Sequence, residues 1–178
     1  MTEGMRLRPV RESDLDHRDE VFADPDGIGV FNWNGFTDPT VWRRRFTENG
    51  LLSDEKSVLF FELDGTHLGF LSWAKMRTGQ ISYVYEFGIT VWPEYRGKGH
   101  GTTAQRQLAR YLFANSTVNR IQAHTEVDNI AEQRSLEKAG FTREGVLREC
   151  YFRDGAYRDE VLYRMLRSEL PVGDQPDG

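Results

Sequence analysis

VWPEYRGKGHGTTA, residues Val91–Ala104, joins a predicted strand to a predicted helix. Within it three glycines alternate with three basic side chains, in the order Arg96, Gly97, Lys98, Gly99, His100 and Gly101. Glycine permits backbone conformations that a Cβ would block, so several amide N–H groups can turn toward one point. The helix that follows adds unpaired N–H groups and the positive end of its dipole. The segment therefore predicts a cradle for a phosphate or pyrophosphate group.

The strand that leads into this loop has two distinct faces. Its apolar face comprises Ile81, Tyr83, Tyr85, Phe87, Ile89 and Val91. Its other face carries Glu86, Gly88 and Thr90, because successive side chains of a strand point to opposite sides. A glycine in the middle of a strand indicates either a bulge or a ligand that approaches the backbone closely.

The remaining chain predicts a mixed set of strands and helices. Alternation and turn residues indicate strands at 5–10, 57–63, 67–74, 119–127, 141–152 and 157–166. Helical periodicity and capping residues indicate helices that begin near Ser13, Asp38, Ala104 and Asn129. This order favours an α/β (α+β) fold: a mixed, mainly antiparallel twisted sheet flanked by helices, with one parallel step.

Length and composition favour one soluble domain. The chain has 178 residues, 38% of them hydrophobic, and a net charge of −5, which does not favour a nucleic-acid partner. The single cysteine, Cys150, cannot form an internal disulfide, which fits a cytoplasmic location. No apolar run suits a membrane span and no leader is recognisable, so no membrane partner is expected. We expect the domain at residues 1–167 and a disordered polar tail at 168–178.

Two nucleotide-binding motifs compete for the glycine segment. The nucleoside-triphosphate pattern G-x-x-x-x-G-K-[ST] is absent. The dinucleotide pattern G-x-G-x-x-A is matched at 99–104, with Glu126 or Asp128 near the end of the next strand. An antiparallel meander before the segment and too few βα repeats after it disfavour a dinucleotide-binding sheet. An NAD-binding oxidoreductase is therefore kept only as the weaker alternative.

Three motifs, in the expected order, resemble the GNAT superfamily of N-acetyltransferases. The glycine segment resembles the family's R/Q-x-x-G-x-G/A loop. Asn129 and the EKAGF segment at 137–141 resemble its second motif, an Asn that opens a helix ending in E-K-x-G-F. The EGVLR segment at 144–148 is similar to the ending of the ribosomal-protein N-terminal acetyltransferase (RimJ/RimL) branch. The resemblance covers residues 5 to 167.

The resemblance implies acetyl-CoA as the co-substrate and, as in many family members, a homodimer. It implies that the strand ending at Val91 and the strand from Asn119 splay apart, with the pantetheine arm in the gap. The residues that it implies for cofactor binding are Ile89, Val91, Arg96, Gly97, Lys98, Gly99, His100, Gly101, Thr102 and Asn129.

Acetyl transfer to an amine needs a neutral amine, a polarised thioester carbonyl and a proton for the departing thiolate. An alkylamine has a pKa of about 10, so a base, acting directly or through water, must take a proton at pH 7. Glu86 is the candidate base, because it lies beside Gly88 and matches a position where the family often carries a carboxylate. The backbone amides of residues 88–91 are candidates for polarising the carbonyl.

The proton donor has two candidates, Ser135 and Tyr151. Many relatives carry a serine at the position one helical turn before Ser135. Tyr151 lies on the first strand of the final hairpin. Here Glu132 occupies the serine position, three residues after Asn129, and we assign it to a capping box instead.

The acceptor is expected to contact an aromatic loop, Phe31–Phe36. Trp33 and Phe36 either pack against the core or, together with Glu86 and Tyr151, line the acceptor pocket. Of the remaining polar residues, His124 is expected to be a surface or hydrogen-bonded residue rather than a catalyst, and Cys150 a small core residue.

The sequence thus predicts an acetyl-CoA-dependent N-acetyltransferase that acts on a primary amine: a protein N-terminus, a polyamine or a small-molecule amine such as an antibiotic. No Cys/His cluster has metal-ligand spacing, so no metal is expected. A non-catalytic acyl-CoA-binding sensor of the same fold is the other alternative.

Overall fold

In the computed structural model, the described part of the chain is residues 4–170. Its helices are α1 (Glu12–Ala23), α2 (Pro25–Ile28), α3 (Thr40–Asn49), α4 (His100–Asn115) and α5 (Ile130–Ala139). Its strands are β1 (Arg6–Arg8), β2 (Lys56–Leu63), β3 (Thr66–Arg77), β4 (Tyr83–Val91), β5 (Arg120–Glu126), β6 (Thr142–Arg153) and β7 (Ala156–Leu166). Short 3₁₀ turns lie at Pro93–Tyr95 and Arg167–Glu169.

Within the described residues, the strands form one seven-stranded sheet in the order β1-β2-β3-β4-β5-β7-β6. Its neighbouring strands are antiparallel except for β4 and β5, which are parallel. The predicted fold class is therefore confirmed: a mainly antiparallel sheet with a single parallel step across α4. One parallel step is too few for a doubly wound dinucleotide-binding sheet, so the sheet does not support the oxidoreductase alternative.

The parallel pair is short, and this shapes the middle of the sheet. β4 pairs with β5 at only two positions, Tyr85 with Ile121 and Glu86 with Gln122. β5 continues along β7 as far as Glu126, whereas β4 runs on to Val91 without β5. The two strands therefore separate beyond Glu86, as the family resemblance implied. The backbone groups of β4 that face the gap have no strand to pair with and are available to a ligand.

Two hydrophobic clusters hold the sheet between helices. α4 and α5 cover one face, where Leu108, Leu112 and Leu136 pack with Phe87 and Ile121. α1 and α3 cover the opposite face of the β2–β4 half, around a cluster that includes Leu15, Phe60, Phe70 and Trp92. That second cover stops short of β5, which leaves the polar face of the β4–β5–β7 region open.

Three local features differ from the sequence prediction. β4 begins at Tyr83, so Ile81 lies outside the strand and is 95% exposed rather than part of its apolar face. Asp24 caps the extra short helix α2 by accepting from Asp26 N–H, where we expected only a break. Leu170 is 3% exposed and packs in the core, so ordered structure extends past residue 167. The remainder of the predicted tail, 171–178, lies outside the described residues.

No helix in residues 4–170 is long and apolar enough to cross a membrane.

Candidate active site

The glycine loop, residues 96–102, adopts the conformation that its glycines permit. Gly97 has φ of 73° and Gly99, the residue before α4, has φ of 81°. Both values lie in the left-handed region that disfavours residues with a Cβ, and the space around each ideal Cβ position is open. The loop therefore presents unobstructed backbone at the start of a 16-residue helix, the arrangement that favours an anionic group.

Gly101 places this helix start directly against the open edge of β4. A Cβ at Gly101 would lie 3.4 Å from Val91 Cγ2, 3.7 Å from Ile89 Cδ1 and 3.6 Å from Ser135 Oγ. The structure therefore brings together the predicted cofactor residues Ile89, Val91 and Gly101 with the candidate acid Ser135. Glycine here keeps a narrow passage between the strand and α5.

The basic side chains of the loop are partly engaged by the protein itself. Arg96 donates from Nε to the Val91 carbonyl at 3.0 Å and from Nη2 to the Ile28 carbonyl at 2.7 Å. Lys98 Nζ donates to the Glu94 carbonyl at 2.9 Å. His100 Nδ1 is buried without a hydrogen-bond partner, and burial lowers the pKa of His100. A neutral imidazole with an unused ring nitrogen thus stands at the first position of α4.

A polar chain crosses from α4 to α5 beside the loop. Thr102 Oγ1 and Ser135 Oγ are 3.1 Å apart, and Ser135 donates to Gln105 Oε1 at 3.1 Å. Gln105, which is fully buried, donates from Nε2 to Glu132 Oε1 at 2.5 Å. Burial raises the pKa of Glu132 to about 8, so this carboxyl group is mainly protonated at neutral pH.

The start of α5 corrects the predicted capping box. Asn129 Oδ1 accepts from the Glu132 backbone N–H at 3.3 Å, which is the expected half of the motif. The reciprocal half is absent because the Glu132 carboxyl group turns to the buried amide of Gln105. Asn129 Nδ2 donates to Thr125 Oγ1 at 3.0 Å, which fixes the predicted cofactor residue at the end of β5.

A carboxylate–imidazole–carboxylate chain crosses the open polar face. Glu86 Oε1 lies 3.2 Å from His124 Nε2, and His124 Nδ1 lies 2.6 Å from Glu160 Oε2. Gln122 Nε2 also donates to Glu86 Oε2 at 2.8 Å. Hydrogen bonds to Glu160 and then Glu86 raise the pKa of His124 to about 10, and the bond from His124 lowers the pKa of Glu86. At pH 7 His124 is therefore protonated and Glu86 is ionised.

The aromatic loop lies over the same face and contacts neither core cluster through Trp33 or Phe36. The rings of these two residues pack edge to face with centroids 4.9 Å apart, and Phe36 is 84% exposed. The Tyr151 hydroxyl donates to the side-chain oxygen of Asn34. The pocket-lining interpretation of this loop is therefore favoured over the core-packing one.

The base of the aromatic loop rests on the end of the β6–β7 hairpin. The Arg153 guanidinium lies 5.4 Å from the Phe31 ring centroid and forms a bidentate ion pair with Glu126 at 2.6 and 2.7 Å. Thr90 Oγ1 donates to Asn32 Oδ1 at 3.5 Å. β4 and the final hairpin therefore both contact the loop, which closes one side of the polar face.

The predicted catalytic residues divide between two sides of the sheet. Glu86 and Tyr151 belong to the polar face that the aromatic loop covers, whereas Ser135 belongs to the α4–α5 side. Among residues 4–170, no group of His, Cys, Asp and Glu side chains is arranged to hold a metal ion. Cys150 is exposed rather than in the core, with Sγ 3.5 Å from Glu160 Oε2.

Sequence reasoning missed Glu160 and the carboxyl role of Glu132, and it named His124 as a surface or hydrogen-bonded residue without its two carboxylate partners. The alternation of Gln122, His124 and Glu126 on one face of β5 was visible. What was hidden is the register: Glu86 meets β5 at Gln122, and β7 brings Glu160 beside Glu126. That register places the imidazole between two carboxylates, so His124 is a bridging residue and not a simple surface residue.

Comparison with known proteins agrees with this geometry. Residues 5–142 match the family model described as "Acetyltransferase (GNAT) domain". The "Putative ribosomal N-acetyltransferase YdaF" of Bacillus subtilis (strain 168) is 31% identical over 129 residues, which cover 72% of this chain and 66% of that protein. The chain thus spans a little under two thirds of the length of that relative.

Two solved structures share the fold over nearly the whole chain. Spermidine N-acetyltransferase from Vibrio cholerae, in complex with CoA and spermine, has a TM-score of 0.81 at 21% identity, covering 94% of this chain and 98% of that chain. RimJ of Mycobacterium smegmatis, in complex with CoA-disulfide, has a TM-score of 0.77 at 26% identity, covering 94% and 84%. Because the family model covers more than half of the chain, this protein belongs to the GNAT family of acetyltransferases and resembles its RimJ/RimL-like branch.

Proposed function

We propose that this protein transfers an acetyl group from acetyl-CoA to a primary amine. The observation that carries the proposal is the position of β4 between two sites. Its open edge beyond Glu86 adjoins the glycine loop, and its polar face presents Glu86 beneath the aromatic loop. This arrangement of β4 supports a cofactor groove along its open edge and an acceptor pocket on its polar face.

The residues around the loop suit acetyl-CoA. Unobstructed backbone at Gly97 and Gly99, together with the first turn of α4, would hold the pyrophosphate. The backbone of Ile89 and Val91 along the gap would pair with the pantetheine amides, although the Val91 carbonyl already accepts from Arg96 Nε. Asn129 bounds the far side of the gap. When bound, the thioester supplies an activated acyl group. The RimJ structure, which contains CoA-disulfide, supports this assignment.

Glu86 is the residue we assign to the acceptor amine. Its side chain is 27% exposed and stays ionised because His124 and Gln122 donate to it. A carboxylate with a lowered pKa is a weak base. We therefore propose that Glu86 binds the ammonium group of the acceptor and also holds a water molecule, which takes the proton from that ammonium group. The negative charge that Glu86 keeps at pH 7 favours a cationic acceptor.

The proton for the departing thiolate has two candidates on opposite sides of the sheet. The Ser135 hydroxyl lies near Ile89 and Val91, at the groove we assign to the cofactor. Tyr151 lies on the acceptor side, where burial raises the pKa of its phenol and keeps it protonated. The substitutions Ser135→Ala and Tyr151→Phe therefore distinguish the two candidates. The substitution that removes the proton donor should lower kcat by about 10²-fold or more, and the other should not.

The test of function is CoA release in the presence of amines of three classes: a polyamine, peptides with free N-termini and small-molecule amines. Similarity to a spermidine N-acetyltransferase and to a protein named as a ribosomal N-acetyltransferase supports including the first two. Glu86→Gln should lower kcat/KM for the best amine by about 10²-fold. Glu48→Gln, an exposed residue on α3, is the matched control.

An acyl-CoA sensor remains the second candidate, because Glu132 occupies the serine position and is held by Gln105. Stabilisation by acetyl-CoA without transfer to any amine would favour that alternative. A homodimer and a cytoplasmic location stay predictions, and light scattering of the purified protein tests the first.

A further inference from the structure

Arg96 of the glycine loop is hydrogen-bonded to Ile28, in the segment that leads into the aromatic loop. Its Nη2 donates to the Ile28 carbonyl at 2.7 Å, across 68 positions of the chain. Its Nε donates at 3.0 Å to the carbonyl of Val91, at the end of β4. One guanidinium thus joins the cofactor groove, the strand and the segment that leads into the acceptor side.

The contact falls at the junction between α2 and the aromatic loop. Gly29, which follows Ile28, has φ of 81°, and a Cβ there would lie 3.1 Å from Arg96 Nη1. The Gly29 carbonyl accepts from the backbone N–H groups of Asn32 and Trp33 at 3.0 and 3.2 Å. The first turn of the loop is therefore built on the two residues that Arg96 contacts.

Arginine suits this role and lysine does not. The planar guanidinium carries donors in a fixed fork, so it can serve two carbonyl groups at once. Lys98, two positions later in the same loop, gives a direct comparison. Its ammonium bonds Glu94 and lies 5.6 Å from the Tyr95 ring centroid, both within its own segment.

We infer that Arg96 is a positioning residue that couples occupancy of the glycine loop to the conformation of residues 28–36. A ligand in the glycine loop then favours the same conformation of residues 28–36 that binds the amine. As a result, CoA and the amine each strengthen the binding of the other. The coupling must be reciprocal, because both ligands act on one equilibrium. The identity of the ligand in the cradle rests on the proposed function.

Hydrogen exchange at the Asn32 and Trp33 amides reads the coupling directly, since both are bonded to the Gly29 carbonyl. In the free protein, Arg96→Ala should speed exchange at these amides by about tenfold, with Arg96→Lys intermediate and the control Glu48→Gln unchanged. Added CoA should slow their exchange in the wild type and in Glu48→Gln, but not in Arg96→Ala. For the best amine, Arg96→Ala should raise KM by about tenfold while the Kd of CoA changes by less than about threefold.

Each alternative result has a distinct meaning. Unchanged exchange in free Arg96→Ala, or a CoA effect that survives in Arg96→Ala, overturns the coupling and leaves the proposed function standing. A rise in the Kd of CoA that matches the rise in KM assigns Arg96 to the cofactor alone and also overturns the coupling. Failure of wild-type protein to bind CoA at all removes the proposed function, and the coupling with it.

Discussion

At the scale of single residues, the environment of each ionisable group decides its chemistry. Glu86 and Glu132 are both partly buried carboxyl groups, yet hydrogen bonds lower the pKa of the first and burial raises the pKa of the second. The first therefore suits a permanent anion that holds a cation, and the second a neutral hydrogen-bonding group. Glu86 could be predicted from the sequence, because a carboxylate near a glycine in the middle of a strand is an unusual local pattern. The sequence concealed the partners of His124, which come from two other strands.

His124→Asn should move the acid limb of the activity profile. Removing the imidazolium removes the largest effect that lowers the pKa of Glu86, so that pKa rises. Activity that requires ionised Glu86 should then fall off at a higher pH than in the wild type. A profile of kcat/KM against pH measures the shift. An acid limb that stays in place in His124→Asn would show that Glu86 does not set it.

His124 also makes stability depend on pH in a defined direction. Its pKa is raised from 6.5 to about 10 in the folded state, so its contribution is fully present below pH 6.5 and is lost as pH rises through 10. The difference in unfolding free energy between wild type and His124→Asn should shrink across that window. Urea denaturation at several pH values measures it, with Glu48→Gln as a variant that should track the wild type.

Glu132→Gln tests the neutral carboxyl group. A folded-state pKa raised from 4.5 to about 8 favours folding at low pH and is lost as pH rises between those values. The variant, which cannot ionise and can still bond Gln105, should therefore gain stability relative to the wild type from pH 5 to pH 8. Thermal melts across that range provide the measurement. A constant difference would mean that Glu132 ionises as it does in water.

At the scale of elements, what matters is how the start of α4 meets the edge of β4. The strand, loop and helix were each predictable, because apolar alternation, glycine spacing and helical periodicity are local signals. The direction of the Glu132 side chain was not, because its partner Gln105 lies on another helix. The same holds for the β4–β5 register, which follows from packing across the sheet and leaves no local trace.

Two glycine-to-alanine substitutions should distinguish the stability cost of backbone strain from the loss of CoA binding when a methyl group enters the groove. Gly99→Ala forces a Cβ onto a residue with φ of 81° and should cost about 1 kcal/mol of stability. Gly101→Ala lies within the helix, where alanine is favoured, so its stability should change by less than about 1 kcal/mol. Its methyl group, however, projects toward Val91 and Ser135 and should weaken CoA binding. Urea denaturation and calorimetry with CoA measure the two effects. Equal CoA affinity in Gly101→Ala and wild type would contradict the groove assignment.

At the scale of the whole molecule, the chain closes its core with its last described residue. Leu170 is 3% exposed, and Arg167 nearby donates to the Phe113 and Val118 carbonyls at 2.6 and 2.8 Å. The sequence predicted the sheet and helices of the domain but placed its end at 167. A lone leucine among polar residues gives no periodic signal of burial.

Leu170→Ala should therefore lower the unfolding free energy by about 2–3 kcal/mol and the Tm by roughly 4–10 °C. The reason is the loss of buried methyl groups from a closed core. Calorimetry measures both values, and Leu52→Ala, at a 37% exposed position, is the comparison with a smaller expected loss. Equal effects in the two variants would place Leu170 outside the core in solution.

The two outer strands carry a further consequence for the behaviour of the molecule in concentrated solution. β1 has three residues, and β6, although twelve residues long, is interrupted by register shifts at Arg143/Gly145 and Leu147/Tyr151. A short edge and a twice-broken edge are poor templates for a strand from another chain. The sheet therefore resists fibre-like growth at both margins, even though β4 and β5 separate at its centre.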